Sequence, residues 1–227
     1  ERRRTNDNRR KTTDTWSKYD PNSQTSMTKI CDILLTNAFV LTMDPQFTQF
    51  AAGAVAISDD SIVAVGDIAG EYQAAETVDC RGRVLMPGLV NAHTHAPMTL
   101  LRGLADDLRL DVWLLGYMMP VEREFVNPDF VRLGTGLACA EMIRSGVTAF
   151  ADMYYFEDAV ARATAGAGMR ALCGQTVLKF PTPDARSFED SLALAREFVA
   201  QWKDHPLIVP AVSPHAPYTC TPEILQA

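Results

Sequence analysis

From about residue 84 to the C-terminus, short apolar runs alternate with helical stretches, and this alternation constrains the fold more than any other feature. The apolar runs RVLMPGLVNAH, VTAFADM, MRALCGQTVL and LIVPAVS read as four strands. The segments between them carry helix signals. Asp111 is read as a cap before VWLLGYMMPVEREF, and Asn127-Pro128 as the start of a helix with a stripe of Phe130, Leu133, Leu137 and Ala140. FEDAVARATAGAG is a third helix, ended by glycines. Ser187 caps FEDSLALAREFVAQW, whose stripe is Phe188, Leu192, Ala195, Val199 and Trp202, and Thr221-Pro222 opens a further helix. Regular alternation of this kind means a parallel sheet with helical crossovers. Two closures fit, an open doubly wound sheet and an eight-stranded barrel. No Gly-x-Gly-x-x-Gly follows any strand, so a dinucleotide-binding version has no support.

Residues 27–85 read differently, as a small β module. DILLTNAFVLTMD is short and β-rich, GAVAISDDSIVAVGDI is a hairpin turning at Asp59-Asp60-Ser61, and VDCRGRVLMPG adds a strand with a turn at Arg81-Gly82. Residues 1–26 are polar, with Trp16 and Tyr19 as the only large aromatic anchors, and are expected to be a disordered extension. Met27 opens the patterned region and is the expected natural start. The expected organisation is therefore 1–26, 27–85 and 86–227.

Charge separates the same regions. Residues 1–26 hold seven basic and four acidic residues, a net of +3, whereas the rest holds 14 and 24, a net of −10. An acidic body argues against a nucleic-acid backbone as partner. No run of about 18 apolar residues occurs, so no membrane span is expected. The cysteines, Cys31, Cys80, Cys139, Cys173 and Cys220, are odd in number and widely spaced, without a Cys-x-x-Cys. They read as reduced thiols of a cytoplasmic protein, not as a disulfide frame or a thiolate zinc site.

There are four histidines. His93 and His95 are alternate residues at the end of the first apolar strand, so both imidazoles fall on one face and can reach one ion. His215, in SPHAPYT, follows the fourth strand on the same end, where barrel loops carry chemistry. His205, in WKDHPL, lies at the opposite end and reads as a solvated loop residue. Asp152, after the second strand, is read as a ligand or as a partner fixing a ligating histidine. Glu122, in MPVEREF, reads on pattern alone as a solvated helix charge.

The segments PGLVNAHTHAPMTLLRG, LACAEMIRSGVTAFADMYYF, AGMRAL and SPHAPYTC resemble the amidohydrolase superfamily. Over about residues 27–227 the chain is most similar to its 5-methylthioadenosine/S-adenosylhomocysteine deaminases and chlorohydrolase-like aromatic deaminases. The resemblance implies a (β/α)8 TIM-type barrel, of which only the first four βα units are present, preceded by the N-terminal part of a small composite β-sandwich. It implies one divalent metal ion, usually zinc, with His93 and His95 as its first ligands. It further implies that Glu122 binds the ribose hydroxyls of a nucleoside and that His215 contacts the substrate. Some members place a substrate-binding arginine after the third strand, where this chain has Gly174 and Gln175.

The expected activity is hydrolytic deamination of an adenosine-type nucleoside: 5-methylthioadenosine, S-adenosylhomocysteine or adenosine. Its partner is then a small nucleoside or aminated heterocycle, and the intact protein is compatible with a homo-oligomer. The alternatives are a guanine or aminotriazine deaminase or chlorohydrolase of the same superfamily, and a barrel that keeps the fold as a non-catalytic scaffold. The family's general acid/base and remaining ligands are expected beyond residue 227, so no catalytic residue is expected within this chain. As a fragment, the chain alone is expected to be inactive.

Overall fold

The computed structural model describes residues 28–227; the expectations for the first 26 residues and for Met27 fall outside that range. The described residues form two compact units that meet in sequence between Pro87 and Gly88.

The first unit is a five-stranded sheet. Its strands are β1 (Lys29–Leu41), β2 (Gln49–Ser58), β3 (Ser61–Gly66), β4 (Tyr72–Asp79) and the short β5 (Val84–Leu85). β1 is central, antiparallel to β2 and parallel to β4 and β5. The β2–β3 hairpin turns where the sequence places it, with Asp59 in the left-handed conformation (φ 51°) that Asp tolerates better than most residues. The Arg81-Gly82 turn also forms. Gly82 has φ 71°, and the Asp79 carboxylate accepts from the Arg81 N–H (2.8 Å) and the Asn37 amide (3.0 Å). Cys31, Leu34, Ala54 and Ala56 form one small core cluster, and Ala38, Val40 and Val55 form another.

The second unit is built on four parallel strands in sequential order, β6 (Leu89–Thr94), β7 (Val147–Tyr154), β8 (Arg170–Val177) and β9 (Ile208–Pro214). The helices are α1 (Met119–Phe125), α2 (Pro128–Arg144), α3 (Glu157–Gly166), α4 (Phe188–Trp202) and α5 (Pro222–Gln226). A 3-10 turn over Ala96–Leu101 follows β6, and a π-helical segment over Val112–Met118 leads into α1. Two caps form as the sequence indicates. The Asn127 side chain accepts from the N–H groups of Asp129 and Phe130, both at 3.1 Å, and Ser187 accepts from that of Asp190 at 3.2 Å.

Four sequence expectations are corrected. RVLMPGLVNAH is not one strand: Val84–Leu85 joins β1, and the parallel sheet begins at Leu89. Pro87 has no N–H for a ladder, and Gly88 lies so close to the Thr148 side chain that a Cβ has no room. Asp111 does not cap a helix; it is itself in helical conformation, and its carboxylate pairs with Arg109. The buried face of α2 is Val131, Gly134, Thr135, Ala138, Cys139 and Met142, whereas Leu133 and Leu137 are exposed. The small face wins because Gly134 sits directly against the Pro97 carbonyl, an approach no larger residue permits. On α4, the buried positions are Ser191, Ala195, Phe198 and Trp202, so only Ala195 and Trp202 of the expected stripe are fully inside.

The core of this unit lies between the strands and α2, α3 and α4. Phe150, Ala171, Cys173 and Ile208 from the strands meet Val131, Cys139, Val160, Ala161, Phe198 and Trp202 from the helices. All five cysteines are free. Among the described residues, no helix is long and apolar enough to cross a membrane.

Candidate active site

The C-terminal ends of parallel strands leave outward-pointing carbonyls and side chains without a following rung, and loops there gather polar groups. In this chain that end opens into a cavity of about 320 Å³. His93 lines it from β6 and His95 from the residue just after it, Glu122 from α1, Met153, Tyr154 and Tyr155 from β7 and the residue after it, and His215 from the loop after β9. The structure thus brings together all four residues that the resemblance assigns to metal or substrate. Apolar walls come from Met98, Leu110, Trp113, Leu114 and Met118.

His93 and His95 meet edge to face, with ring centroids 5.2 Å apart. The Nδ1 of His95 lies 2.6 Å from the carbonyl oxygen of Met153. A carbonyl only accepts, so Nδ1 carries the proton and Nε2 keeps its lone pair, the arrangement a metal-binding imidazole needs. Among the described residues, no group of three or more His, Cys, Asp or Glu side chains is placed to hold a metal. The donor chemistry of the pair suits a borderline divalent ion, and two ligands are fewer than such a site takes.

His215 is held in the complementary way. Thr219 Oγ1 donates to the Ala216 carbonyl (3.1 Å) and accepts from His215 Nδ1 (2.8 Å), leaving Nε2 free as an acceptor. Burial, and secondarily the neighbouring His95, push the His215 pKa down, so its ring is held neutral. His205 sits at the other end of the strands, against Trp202, where Nδ1 accepts from the Leu207 N–H at 3.2 Å.

Glu122 corrects the pattern reading. It is not a solvated helix charge but 6% exposed, in the short helix α1 behind the π-helical segment. The Tyr154 hydroxyl donates to Glu122 Oε1 at 2.9 Å. Burial pushes the Glu122 carboxyl up to about 7, with the Tyr154 bond opposing. Sequence reasoning missed Tyr154 altogether; its even position on β7, two residues after Asp152, was the available signal.

Asp152 does not make the histidine bond expected of it. Its Oδ1 accepts from the Thr94 hydroxyl (2.5 Å) and the Ala96 N–H (2.7 Å), the residues flanking His95, and it bonds no histidine. Gly174 and Gln175 are also placed. A Cβ at Gly174 would collide with the Ser213 side chain of the adjacent strand. Gln175 is buried and turned to the helix side, where Nε2 donates to Asp184 (2.8 Å) and Oε1 accepts from the Glu157 N–H (3.4 Å).

The arrangement has known counterparts. Residues 84–227 match the model of the amidohydrolase family. The chain is 51% identical over 197 residues to a 5-methylthioadenosine/S-adenosylhomocysteine deaminase of Syntrophobacter fumaroxidans, covering 86% of this chain and 45% of the relative. It is 42% identical over 198 residues to a 5'-deoxyadenosine deaminase of Methanosarcina mazei, again covering 86% and 45%. The crystal structure of an adenosine deaminase from Xanthomonas campestris with bound zinc superposes with a TM-score of 0.83 at 44% identity, covering 87% of this chain and 46% of that one. The chain therefore spans a little under half the length of these relatives. Strand order, the histidine pair at the end of β6 and the matched family model agree: this chain belongs to the amidohydrolase family.

Proposed function

We propose that the complete protein is a zinc-dependent hydrolase that deaminates an adenosine-type nucleoside, with 5-methylthioadenosine, S-adenosylhomocysteine and adenosine as candidate substrates. The observation that carries this reading is one cavity holding both a histidine pair and a buried, tethered carboxylate. A hydrolytic centre for an aminopurine needs the first, and a ribose diol is well matched by the second. The names of the relatives, a methylthioadenosine/S-adenosylhomocysteine deaminase, a deoxyadenosine deaminase and a zinc-bound adenosine deaminase, support it. In this reading the four parallel strands are the first half of a (β/α)8 barrel, and the five-stranded sheet is part of a composite β-sandwich.

His93 and His95 would hold the metal, His95 through Nε2, since its Nδ1 is engaged by the Met153 carbonyl. When bound, zinc lowers the pKa of its water and makes hydroxide available near neutral pH. The chain's own residues bind and orient the substrate. Glu122, once ionised, accepts the ribose hydroxyls while Tyr154 fixes its other side. His215, neutral and anchored through Nδ1, offers Nε2 to the substrate. The proton held on His95 Nδ1 by the Met153 carbonyl keeps the metal-binding nitrogen free, a refinement that a non-catalytic scaffold has no use for. With only two histidines, the 227-residue chain by itself is expected to bind zinc weakly and release no ammonia.

The test is ammonia release by the zinc-loaded complete protein across a panel of adenosine-type nucleosides, guanine and aminotriazines. Turnover confined to the adenosine-type nucleosides is expected. Turnover of guanine or a triazine alone would replace the reading, and no turnover of any would end it.

A further inference from the structure

Two buried acids lie under the histidine strand and have no part in the proposed chemistry. Asp152 is 2% exposed and Glu157 0%. Each satisfies only one oxygen from the surrounding protein. Asp152 Oδ1 accepts from Thr94 and Ala96, and Glu157 Oε1 accepts from the Tyr154 N–H at 2.7 Å. The remaining oxygens, Asp152 Oδ2 and Glu157 Oε2, are buried without a donor. The Glu157 carboxyl sits on the N–H of Tyr154, two residues along β7 from Asp152, and each acid acts directly on the other's ionisation.

Two neighbouring carboxylates in a dry interior cannot both stay ionised; each carries the full cost of desolvation plus the repulsion of the other. One proton between them removes the repulsion and satisfies both orphaned oxygens at once. The surroundings decide where it resides. Asp152 has two donors on Oδ1 and Glu157 has one on Oε1, so the negative charge is better stabilised on Asp152. Burial, then the charge of Asp152, drives the Glu157 carboxyl well above its ordinary range. Two other titratable groups act on Glu157: the Cys173 thiol, a weak donor, and the Asp184 carboxylate, whose charge adds to the repulsion.

We propose that Glu157 carries this proton, donates it from Oε2 to Asp152 Oδ2, and so acts as a positioning residue for the end of β6. The consequence follows through named bonds. Asp152 grips the residues before and after His95. Glu157 also holds the Tyr154 N–H, and the preceding carbonyl, of Met153, sets the His95 proton. One acid–acid bond thereby ties both the backbone on either side of His95 and the carbonyl that orients its ring. Glu157 is hydrogen-bonded to neither histidine. The inference rests on the reading of His93 and His95 as metal ligands, but its proton does not.

The experiment compares Glu157→Gln and Glu157→Met in the complete protein. Glutamine keeps both functions, its NH2 donating to Asp152 and its oxygen accepting from Tyr154, whereas methionine keeps only the volume. Zinc affinity by chelator competition is expected to stay within about threefold of wild type for glutamine and to fall about 10–100-fold for methionine, the range for partners behind metal ligands. Infrared spectra of the metal-free proteins at pH 8 should show a protonated-carboxyl stretch in wild type that is lost in Glu157→Gln. The proposal is overturned if that band is absent from wild type, if glutamine binds zinc as weakly as methionine, or if methionine binds as tightly as glutamine. Should the methionine variant fail to fold, the wild-type and glutamine spectra still decide the proton. A wild-type protein that takes no zinc defeats the metal reading alone, and the same spectra then still decide the proton.

Discussion

The two units are both built around sheets, but they dispose of polar groups in opposite ways. In the β1–β5 unit every residue among the buried positions is apolar or glycine-like in size, and its carboxylates stay at turns and edges, as Asp79 does beside Arg81 and Asn37. In the β6–β9 unit lie all nine buried polar or charged residues among the described residues, including Glu122, Asp152, Glu157 and Gln175. All four orphaned buried polar side-chain atoms among the described residues are there too. Burying such groups costs stability unless something is gained by it. The difference teaches that the first sheet is shaped by folding alone, and that the second accepts a cost at the ends of its strands where the site is assembled.

Substitutions in the second unit should therefore change chemistry, and substitutions in the first only stability. The largest effect is expected from replacing His93 and His95 together by alanine. Elemental analysis of the complete protein should find no stoichiometric metal, and ammonia release should drop to background. Retained stoichiometric metal would remove the pair from the site.

Tyr154→Phe comes next. It deletes the hydroxyl that donates to buried Glu122, a bond to a carboxylate worth about 1.5–3 kcal/mol, or about 10–150-fold in nucleoside kcat/KM. The sign of the pH effect is fixed by the bond. Tyr154 lowers the Glu122 pKa, so its loss raises that pKa further above 7 and moves the acid limb of nucleoside binding to higher pH. A pH profile of KM that stays in place would show that Tyr154 does not hold the carboxylate.

The matching test in the first unit is Gly53→Ala. A Cβ there meets Phe50 Cβ at 2.7 Å and Val40 Cγ2 at 2.9 Å, and overpacking of this kind costs about 1–3 kcal/mol. Urea unfolding should register that loss while zinc content and ammonia release per folded molecule stay at wild-type values. The smallest effect is expected from Lys29→Ala. The Lys29–Glu71 pair is 3.1 Å long but its partners are 59% and 49% exposed, so water screens it and the unfolding midpoint should not move.

Much of this division could be read from the sequence, and the failures have physical causes. The alternation after residue 84, the hairpin at Asp59 and the caps at Asn127 and Ser187 are local signals, and local signals survived. The α2 stripe failed because hydrophobicity was counted where packing distance decided. Gly134 lets the helix reach the Pro97 carbonyl, so the small side rather than the leucine side faces inward. Glu122 failed for a related reason: a π-helical segment precedes it, and a change of helical pitch shifts which residues face the cavity without altering composition. Glu157 was passed over because an acid in the first turn of a helix is ordinarily a solvated complement to the helix dipole. Its burial depends on where β7 and β8 place Asp152 and Gln175, which no window of sequence contains. His93, His95 and His215 were legible because strand alternation and strand-end position are themselves local properties.

The central claim is that the cavity between the histidine pair and Glu122 receives a nucleoside. Its most direct test is the kcat/KM of the complete enzyme and of Glu122→Gln for adenosine-type nucleosides against the corresponding free base, adenine. If Glu122 holds the ribose, the substitution should lower kcat/KM for the nucleosides by at least about tenfold, the equivalent of one charge-assisted hydrogen bond, and leave adenine within about twofold. Equal losses for nucleoside and base would contradict the account.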